Sequence, residues 1–344
     1  MKKKGPNNIT RAIIDATVDR GIREVAEDPQ RSIRKLADMG RKYTKGRFMQ
    51  NIMELSQEML RNEDCPYYDA IAQLLRNTDR KTIKHVGINI GYNSLTYGGK
   101  IIREQQKKRG YRIPWTLIFC LNNRTGTGLQ LADLHRFIGE ANDLGIFTFL
   151  ISLEGTLTNF EDLSELFRSY SDSAFIFFLP DQKLLQNHLP SLKKSTNTMF
   201  LFRCGGQYTS GNIAAARKEK VFYGAYLPYN DSSVAQITED VFRFIPESYQ
   251  TAFVISVPED NCNLENVAKM AAFFKYQRMK ALCPFIPFDL YGDAIEIDRI
   301  VASEGCYCAF FPDGSVRTAD EAHTECMLQE SLDTILRETM GALD

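Results

Sequence analysis

The 344-residue sequence lacks the features that mark membrane-spanning and disulfide-stapled secreted proteins. No run approaches the ~18 apolar residues that a transmembrane helix requires. The basic start at Lys2–Lys4 is not followed by the apolar stretch of a signal peptide, so we expect a cytoplasmic protein. The 42 Lys and Arg residues are balanced by 43 Asp and Glu residues. Nucleic-acid binding needs a basic excess, so no nucleic-acid partner is predicted.

Local metal and disulfide motifs are also missing. The eight cysteines contain no CxxC pair, and the four histidines form no HExxH pattern. Scattered cysteines in a large cytoplasmic-type chain argue against structural disulfides. The closest pair, Cys306 and Cys308, is separated by one residue, where zinc sites usually place two to four. No metal is therefore expected. Cys306, Cys308 and Cys326 remain weak candidates, with His323 as a fourth ligand.

The first 108 residues carry apolar residues at helical spacing, as in the set Ile13, Ile14, Val18 and Ile22. Further segments of this kind cover 29–39, 48–60 and 66–75. We expect a last helix from about Thr82 that is interrupted by glycines, followed by a basic surface connector over 100–108. The sequence therefore predicts an N-terminal helical region over 1–108.

From Ile113 onward, short apolar runs alternate with amphipathic segments. Six strands are predicted, at 115–121, 146–153, 174–179, 198–204, 221–227 and 251–257. Helices are predicted between or after them, at 130–144, 159–169, 181–190, 208–219, 231–245 and 263–280. Runs such as 175–179 are apolar on both faces, as buried parallel strands are. The pattern predicts an α/β fold with a partial (βα)6 TIM-like barrel over 109–300.

The last 44 residues, 301–344, form a distinct tail. An Asp313-Gly314 turn between two short apolar runs predicts a β-hairpin. A terminal helix is predicted through Leu332 and Leu336.

Several stretches in a fixed order resemble a branch of the radical S-adenosylmethionine superfamily. They are 28–36 and 64–68, an Ile-Pro-Trp entry into the first strand at 112–118, the helix end at 142–147, and the tail segments 305–314 and 326–332. The resemblance covers nearly the whole chain and implies the same partial barrel. In that family, a CxxxCxxC loop after the first strand holds a [4Fe–4S] cluster, because cluster iron needs thiolate ligands.

Three motifs of the family are changed in this chain. The loop after the first strand holds one cysteine, Cys120, ahead of Leu121 and 122–128. The Gly-Gly-Glu-Pro motif that binds S-adenosylmethionine corresponds to 153–156, where Glu154 is displaced by one position. The Val-Glu-Pro-Cys tail motif corresponds to 316–319, without the cysteine. Together these losses predict a barrel that has lost its [4Fe–4S] and S-adenosylmethionine site, so no cofactor is expected.

Candidate ligand-binding residues lie where the predicted strands end, since that rim carries the active site in α/β barrels. They are Asn122, Asn123, Arg124, Thr125, Gly126, Thr127, Glu154, Arg203, Cys204, Gly205 and Gly206. The loop residues 122–127 precede a predicted helix N-terminus and could bind an anion there. The alternative is that they form a plain turn. The glycines after Arg203 allow close backbone approach. Cys204 is either a nucleophile activated by an unseen base or a buried, inert thiol. Rim carboxylates are either acid–base groups or helix caps.

Phenylalanines at strand positions predict the character of the barrel's inner face. Five are expected there, namely Phe177, Phe200, Phe202, Phe222 and Phe253. They either fill a vacated barrel or line an apolar pocket.

Three functions follow from the sequence. The first is a radical-SAM-like pseudoenzyme, a non-catalytic scaffold or binding subunit whose protein partner is a catalytically competent paralogue. The second is an enzyme that reuses the barrel mouth for an anionic small molecule without iron. The third is an active radical SAM enzyme with dispersed cluster ligands, such as Cys120, Cys204 and Cys262. The oligomeric state does not follow from the sequence.

Overall fold

The computed structural model of the chain describes residues 8–25, 28, 30–35, 38, 60, 62–122, 129–157, 160–259, 262–323 and 330–343. The segment predicted over 48–60 lies outside these residues apart from Leu60. Within the described residues, no helix is long and apolar enough to cross a membrane.

The described residues that precede the sheet form helices. They include α1 (Asn8–Val25), α2 (Tyr67–Asn77), α3 (Arg80–Ile88), a π-helix (Asn89–Gly98) and α4 (Gly99–Arg109). The last three are continuous, so the expected interruption by glycines is wrong. A Cβ on Gly87 or Gly91 would meet nothing within 4 Å, and neither residue breaks the helix.

The basic segment 100–108 is part of α4 and not a connector. Its Ile102 and Gln106 side chains are buried. The amide of Gln106 donates to the Ala302 carbonyl at 3.1 Å and accepts from the Ile113 N–H at 2.9 Å. The charged residues occupy the exposed face of the helix, which explains the polar composition without an irregular connector.

The centre of the protein is one ten-stranded sheet with the order β10-β9-β8-β1-β2-β3-β4-β5-β6-β7. Its strands are β1 (Thr116–Asn122), β2 (Thr148–Glu154), β3 (Ala174–Phe178), β4 (Thr198–Arg203), β5 (Tyr223–Tyr229), β6 (Phe253–Pro258), β7 (Ile286–Asp289), β8 (Cys308–Phe310), β9 (Val316–Thr318) and β10 (Ala322–His323). Strands β1 to β7 are parallel neighbours in chain order. All six predicted strands are present, and β7 is an additional one.

Helices follow the parallel strands. They are α5 (Leu131–Leu144), α6 (Phe160–Ser169), α7 (His188–Lys194), α8 (Thr209–Lys218), α9 (Val234–Glu239), α10 (Leu264–Met279), α11 (Leu290–Val301) and, in the tail, α12 (Leu332–Thr339). Two are shorter than predicted. Residue Gln182 is held in a loop, where its side chain accepts from the Leu157 N–H, so α7 begins only at His188. Helix α9 ends at Glu239, and the Asp240 side chain then caps a short 3-10 turn.

The two faces of the sheet bury different apolar clusters. One packs under α5 to α8 and includes Phe177, Phe200 and Phe202. The other lies on the opposite, concave face and includes Phe222, with Phe253 packed against it. Ring stacking of Phe160 in α6 on Phe177, at 5.9 Å between centroids, fixes the first assignment. The expectation that five phenylalanines share the inner face is therefore wrong for three of them.

The sheet is curved into a partial barrel. A single cavity of about 290 Å³ is lined by residues from six parallel strands, including Thr116 in β1 and Phe288 in β7. If the sheet were flat, seven strands spaced by about 4.8 Å would place β1 and β7 roughly 29 Å apart. Strands at both ends can line one small cavity only if the sheet bends around it. This confirms the predicted fold class.

Helix α11 and the tail are hydrogen-bonded to the segment that leads into β1. The Trp115 backbone N–H donates to the Asp298 carboxylate at 2.9 Å, and its indole N–H donates to the Ala294 carbonyl at 2.9 Å. The Cys306 N–H donates to the second oxygen of Asp298 at 3.0 Å. Strand β8 then pairs in parallel with β1, and β9 turns back as the predicted hairpin.

Candidate functional site

The polar end of the concave face begins with Asn122 and Glu154. These residues are register partners at the carboxyl ends of β1 and β2. The Asn122 amide donates to the Glu154 carboxylate at 3.1 Å. The structure therefore brings together two of the residues that the sequence singled out, because neighbouring parallel strands end at the same edge.

The remainder of that loop, Asn123, Arg124, Thr125, Gly126 and Thr127, lies outside the described residues. Its proposed role with an anion stays a prediction.

The second polar group on this edge is built around Arg203, the last residue of β4. Its guanidinium forms an ion pair with Glu259 at 3.0 Å. The other oxygen of Glu259 accepts from the Asn230 amide at 2.8 Å. Glu259 follows β6 and Asn230 follows β5, so three adjacent strand ends supply one network.

Tyr226 on β5 is the register partner of Arg203 at this edge. Its hydroxyl donates to the Leu179 carbonyl at 3.0 Å. Burial raises the pKa of this phenol well above its ordinary value, so the hydroxyl is neutral at physiological pH. Sequence reasoning missed both Tyr226 and Asn230. Side chains alternate between the two faces of a strand, so Tyr226 shares a face with Phe222, four residues earlier, and with Pro228, two residues later. This alternation was the signal that could have placed Tyr226 on the concave face.

Cys204 does not reach this edge. It packs in the cluster under the helices and is only 4% exposed. Burial raises the pKa of its thiol to about 12, against the opposing charge of Arg203. The thiol is protonated at neutral pH and is a poor nucleophile, in line with the inert alternative.

The Gly205-Gly206 turn is fitted to a protein carboxylate. Gly205 has a φ of +71°, and a Cβ on Gly206 would lie 2.4 Å from Oδ1 of Asp181. The Asp181 carboxylate accepts from the Gln207 N–H at 3.0 Å and the Tyr208 N–H at 3.4 Å. The close backbone approach that the glycines permit is used by Asp181.

The tail cysteines are buried on the helix side of the sheet. The Cys306 thiol donates to Asp298 at 3.4 Å, and burial raises its pKa well above the ordinary value. Burial also raises the pKa of Cys308, which is 0% exposed. Cys326 lies outside the described residues. Among the residues that the structure describes, no group of three or more His, Cys, Asp or Glu side chains is placed to hold a metal ion.

No protein-family model matches the chain, and no curated protein matches it. Solved structures with a similar fold include SuiB from Streptococcus suis bound to S-adenosylmethionine, at 12% identity and a TM-score of 0.46, covering 69% of this chain and 67% of SuiB. SuiB bound to the precursor peptide SuiA gives 13% identity, a TM-score of 0.47 and coverages of 68% and 67%. The chain is similar in fold to SuiB. It is also similar to anSMEcpe with bound AdoMet and a Cp18Cys peptide, at 12% identity, a TM-score of 0.42 and coverages of 64% and 80%. At these identities the likeness concerns the fold.

Proposed function

We propose that the chain is a radical-SAM-like barrel without a [4Fe–4S] cluster that acts as a non-catalytic scaffold or binding subunit for a protein partner. A catalytically competent radical SAM paralogue is the first candidate for that partner. The observation that carries the proposal is the thiol count at the end of β1. Cys120 is followed by no cysteine before Cys204. Three converging thiolates are needed to hold a cluster and leave one iron open.

Dispersed cysteines do not readily replace the missing loop. In the retained-chemistry alternative, Cys120, Cys204 and Cys262 would share one cluster. Cys120 packs against the concave-face cluster, whereas Cys204 belongs to the cluster under the helices. Two thiols on opposite faces of one sheet cannot ligate the same cluster without rearranging β1 or β4, which counts against this alternative.

The polar edge also supports a binding or scaffold role over anion catalysis. An enzyme for an anionic substrate would use Arg203, Arg124 and the neighbouring hydroxyls. The Arg203 charge is already balanced by Glu259 at 3.0 Å. The neighbouring carboxylate offsets part of the attraction that this guanidinium would exert on an incoming anion.

The deciding experiment is anaerobic iron–sulfide reconstitution of the purified chain, with S-adenosylmethionine binding followed by calorimetry on the same sample. We expect neither bound cluster nor cofactor binding. About four irons per chain with an absorbance shoulder near ~400 nm would overturn the proposal. A Cys120→Ala variant serves as the matched control, because iron that binds both proteins equally does not depend on the β1 position.

The partner claim is tested separately by co-expression with a radical SAM paralogue from the same source. We expect the two chains to co-elute and the paralogue's activity to fall when this chain is omitted. Independent elution with unchanged activity would contradict the scaffold role, whatever the iron content.

A further inference from the structure

The concave face holds an apolar cavity at the end opposite the polar edge. It is about 290 Å³ in volume and is lined by the amino-terminal halves of β1, β2, β4 and β6, the middle of β3 and the carboxyl end of β7. Its walls include Leu150 and Ile176 from the sheet, Val86 from α3 and Ile90 from the π-helix. The cavity is partly open to solvent, and most of the side chains that line it are apolar.

The polar groups at the cavity wall are engaged within the protein. The Thr116 hydroxyl donates to the Thr148 carbonyl at 2.9 Å, and the Thr148 hydroxyl donates to Ser94 at 3.0 Å. Asp293 is in a bidentate pair with Arg278, at 2.9 and 2.5 Å.

The other lining carboxylate, Asp289, is likewise engaged. It accepts from the Ser256 hydroxyl at 2.7 Å and the Gly292 N–H at 2.8 Å. A polar ligand would therefore bury groups with no remaining partner, which is unfavourable. Because these polar groups are already engaged, few hydrogen-bond partners remain for an ordered water, which needs two to four when buried.

We propose that this cavity is a binding site for an uncharged apolar molecule about the size of naphthalene. An engineered apolar cavity of ~150 Å³ in another protein stays dry and binds benzene, and the present cavity has roughly twice that volume. Partly exposed lining residues, among them Ile176, Phe253 and Ile297, provide a route of entry from solvent. The site is independent of the proposed scaffold function, because it lies at the other end of the barrel.

The chain carries its own reporter for this cavity. Trp115 is the sole tryptophan in the sequence, and it lines the cavity. Heavy-atom quenching requires contact, so loss of Trp115 fluorescence reports occupancy of this site. The probes are bromobenzene and 1-bromonaphthalene, with bromide ion as the charged comparison.

We expect saturable quenching by both aromatic probes, with 1-bromonaphthalene binding more tightly because it fills more of the volume. Bromide ion is expected to quench weakly and without saturation. Non-saturable quenching by bromobenzene, or equal quenching by bromide ion, would overturn the proposal.

Two substitutions would each place a phenyl ring in the cavity, from opposite walls. They are Ile176→Phe on β3 and Val86→Phe on α3. Each is expected to weaken 1-bromonaphthalene binding by about tenfold or more, since the added ring occupies the space of one ligand ring. The matched control is Leu264→Phe, which adds the same side chain at a position that is 84% exposed. Unchanged binding in both folded filling variants, or an equal loss in the control, would contradict the assignment.

Discussion

The Asp289 carboxylate shows how burial makes a single side chain sensitive to pH. It is 2% exposed and caps α11. Burial raises its pKa to about 6, against the hydrogen bonds from Gly292 and Ser256 that favour the charged form. The folded protein therefore holds this proton more tightly than the unfolded chain. The resulting stability is present below about pH 4 and is lost as the pH rises through 6.

Replacing Asp289 with Asn removes this loss. The amide still accepts from Gly292 and can donate to the Ser256 hydroxyl, and Asn caps helices as well as Asp. As the pH is raised from 4.5 to 7.5, we expect the free energy of unfolding of the variant to rise by about 2 kcal/mol relative to that of the wild type. Urea unfolding of both proteins at the two pH values measures this change. The exposed Asp162→Asn change in α6 serves as control. A wild-type pH dependence in Asp289→Asn would contradict the burial effect.

The polar edge shows which site features the sequence contains and which it does not. Asn122 and Glu154 were predictable, because each directly ends an apolar run and neighbouring parallel strands end together. The partner of Arg203 was not, since Glu259 is 56 residues further along the chain. That pair depends on the stagger between β4 and β6, which local patterns do not encode.

The contact between the π-helix and the end of α5 depends on two glycines. A Cβ on Gly98 would lie 2.3 Å from the Gly145 carbonyl oxygen and 2.9 Å from that of Asn93. Both neighbours are backbone atoms, which cannot rotate away. Gly145 itself has a φ of +98° and ends α5.

We therefore expect Gly98→Ala to lower the free energy of unfolding by about 2 kcal/mol or more. The matched control is Gly87→Ala in α3, where the added methyl meets nothing within 4 Å. It should raise stability by about 0.5–1 kcal/mol, because alanine is the better helix former. Chemical denaturation of both variants measures the difference, and equal effects would argue against the close backbone crossing.

Strand β7 was missed in the sequence for a physical reason. It spans four residues, Ile286–Asp289, and includes Pro287. Proline cannot donate to a sheet ladder and is tolerated at an edge, where β7 lies.

The prediction of which face of the sheet the central phenylalanines occupy failed for a different reason. Strands such as β3 are apolar on both faces, so they lack the alternation that would assign Phe177 to one side.

The barrel and tail share one apolar cluster. Phe310 in β8 stacks on Phe119 in β1 at 5.1 Å and on Phe137 in α5 at 5.2 Å between ring centroids. It is 2% exposed. The tail thus contributes directly to the packing of the first βα unit.

Truncating this ring should destabilise the whole molecule. We expect Phe310→Ala to cost about 3–5 kcal/mol, with a single unfolding transition that coincides in circular dichroism and Trp115 fluorescence. Phe242→Ala, at a position that is 49% exposed, is the control and should cost much less. Two separated transitions in the Phe310 variant would show that the tail unfolds independently of the barrel.

The parallel pairing of Leu117 with Cys308 also has a consequence for synthesis. One edge of β1 finds its partner only after roughly 190 further residues have been made, which takes about 10–40 s on a ribosome. Throughout that interval an apolar strand offers unpaired N–H and carbonyl groups to any neighbouring nascent chain. The period of greatest risk of misassociation for this protein therefore precedes the appearance of its final forty residues, and chaperone dependence should be concentrated there.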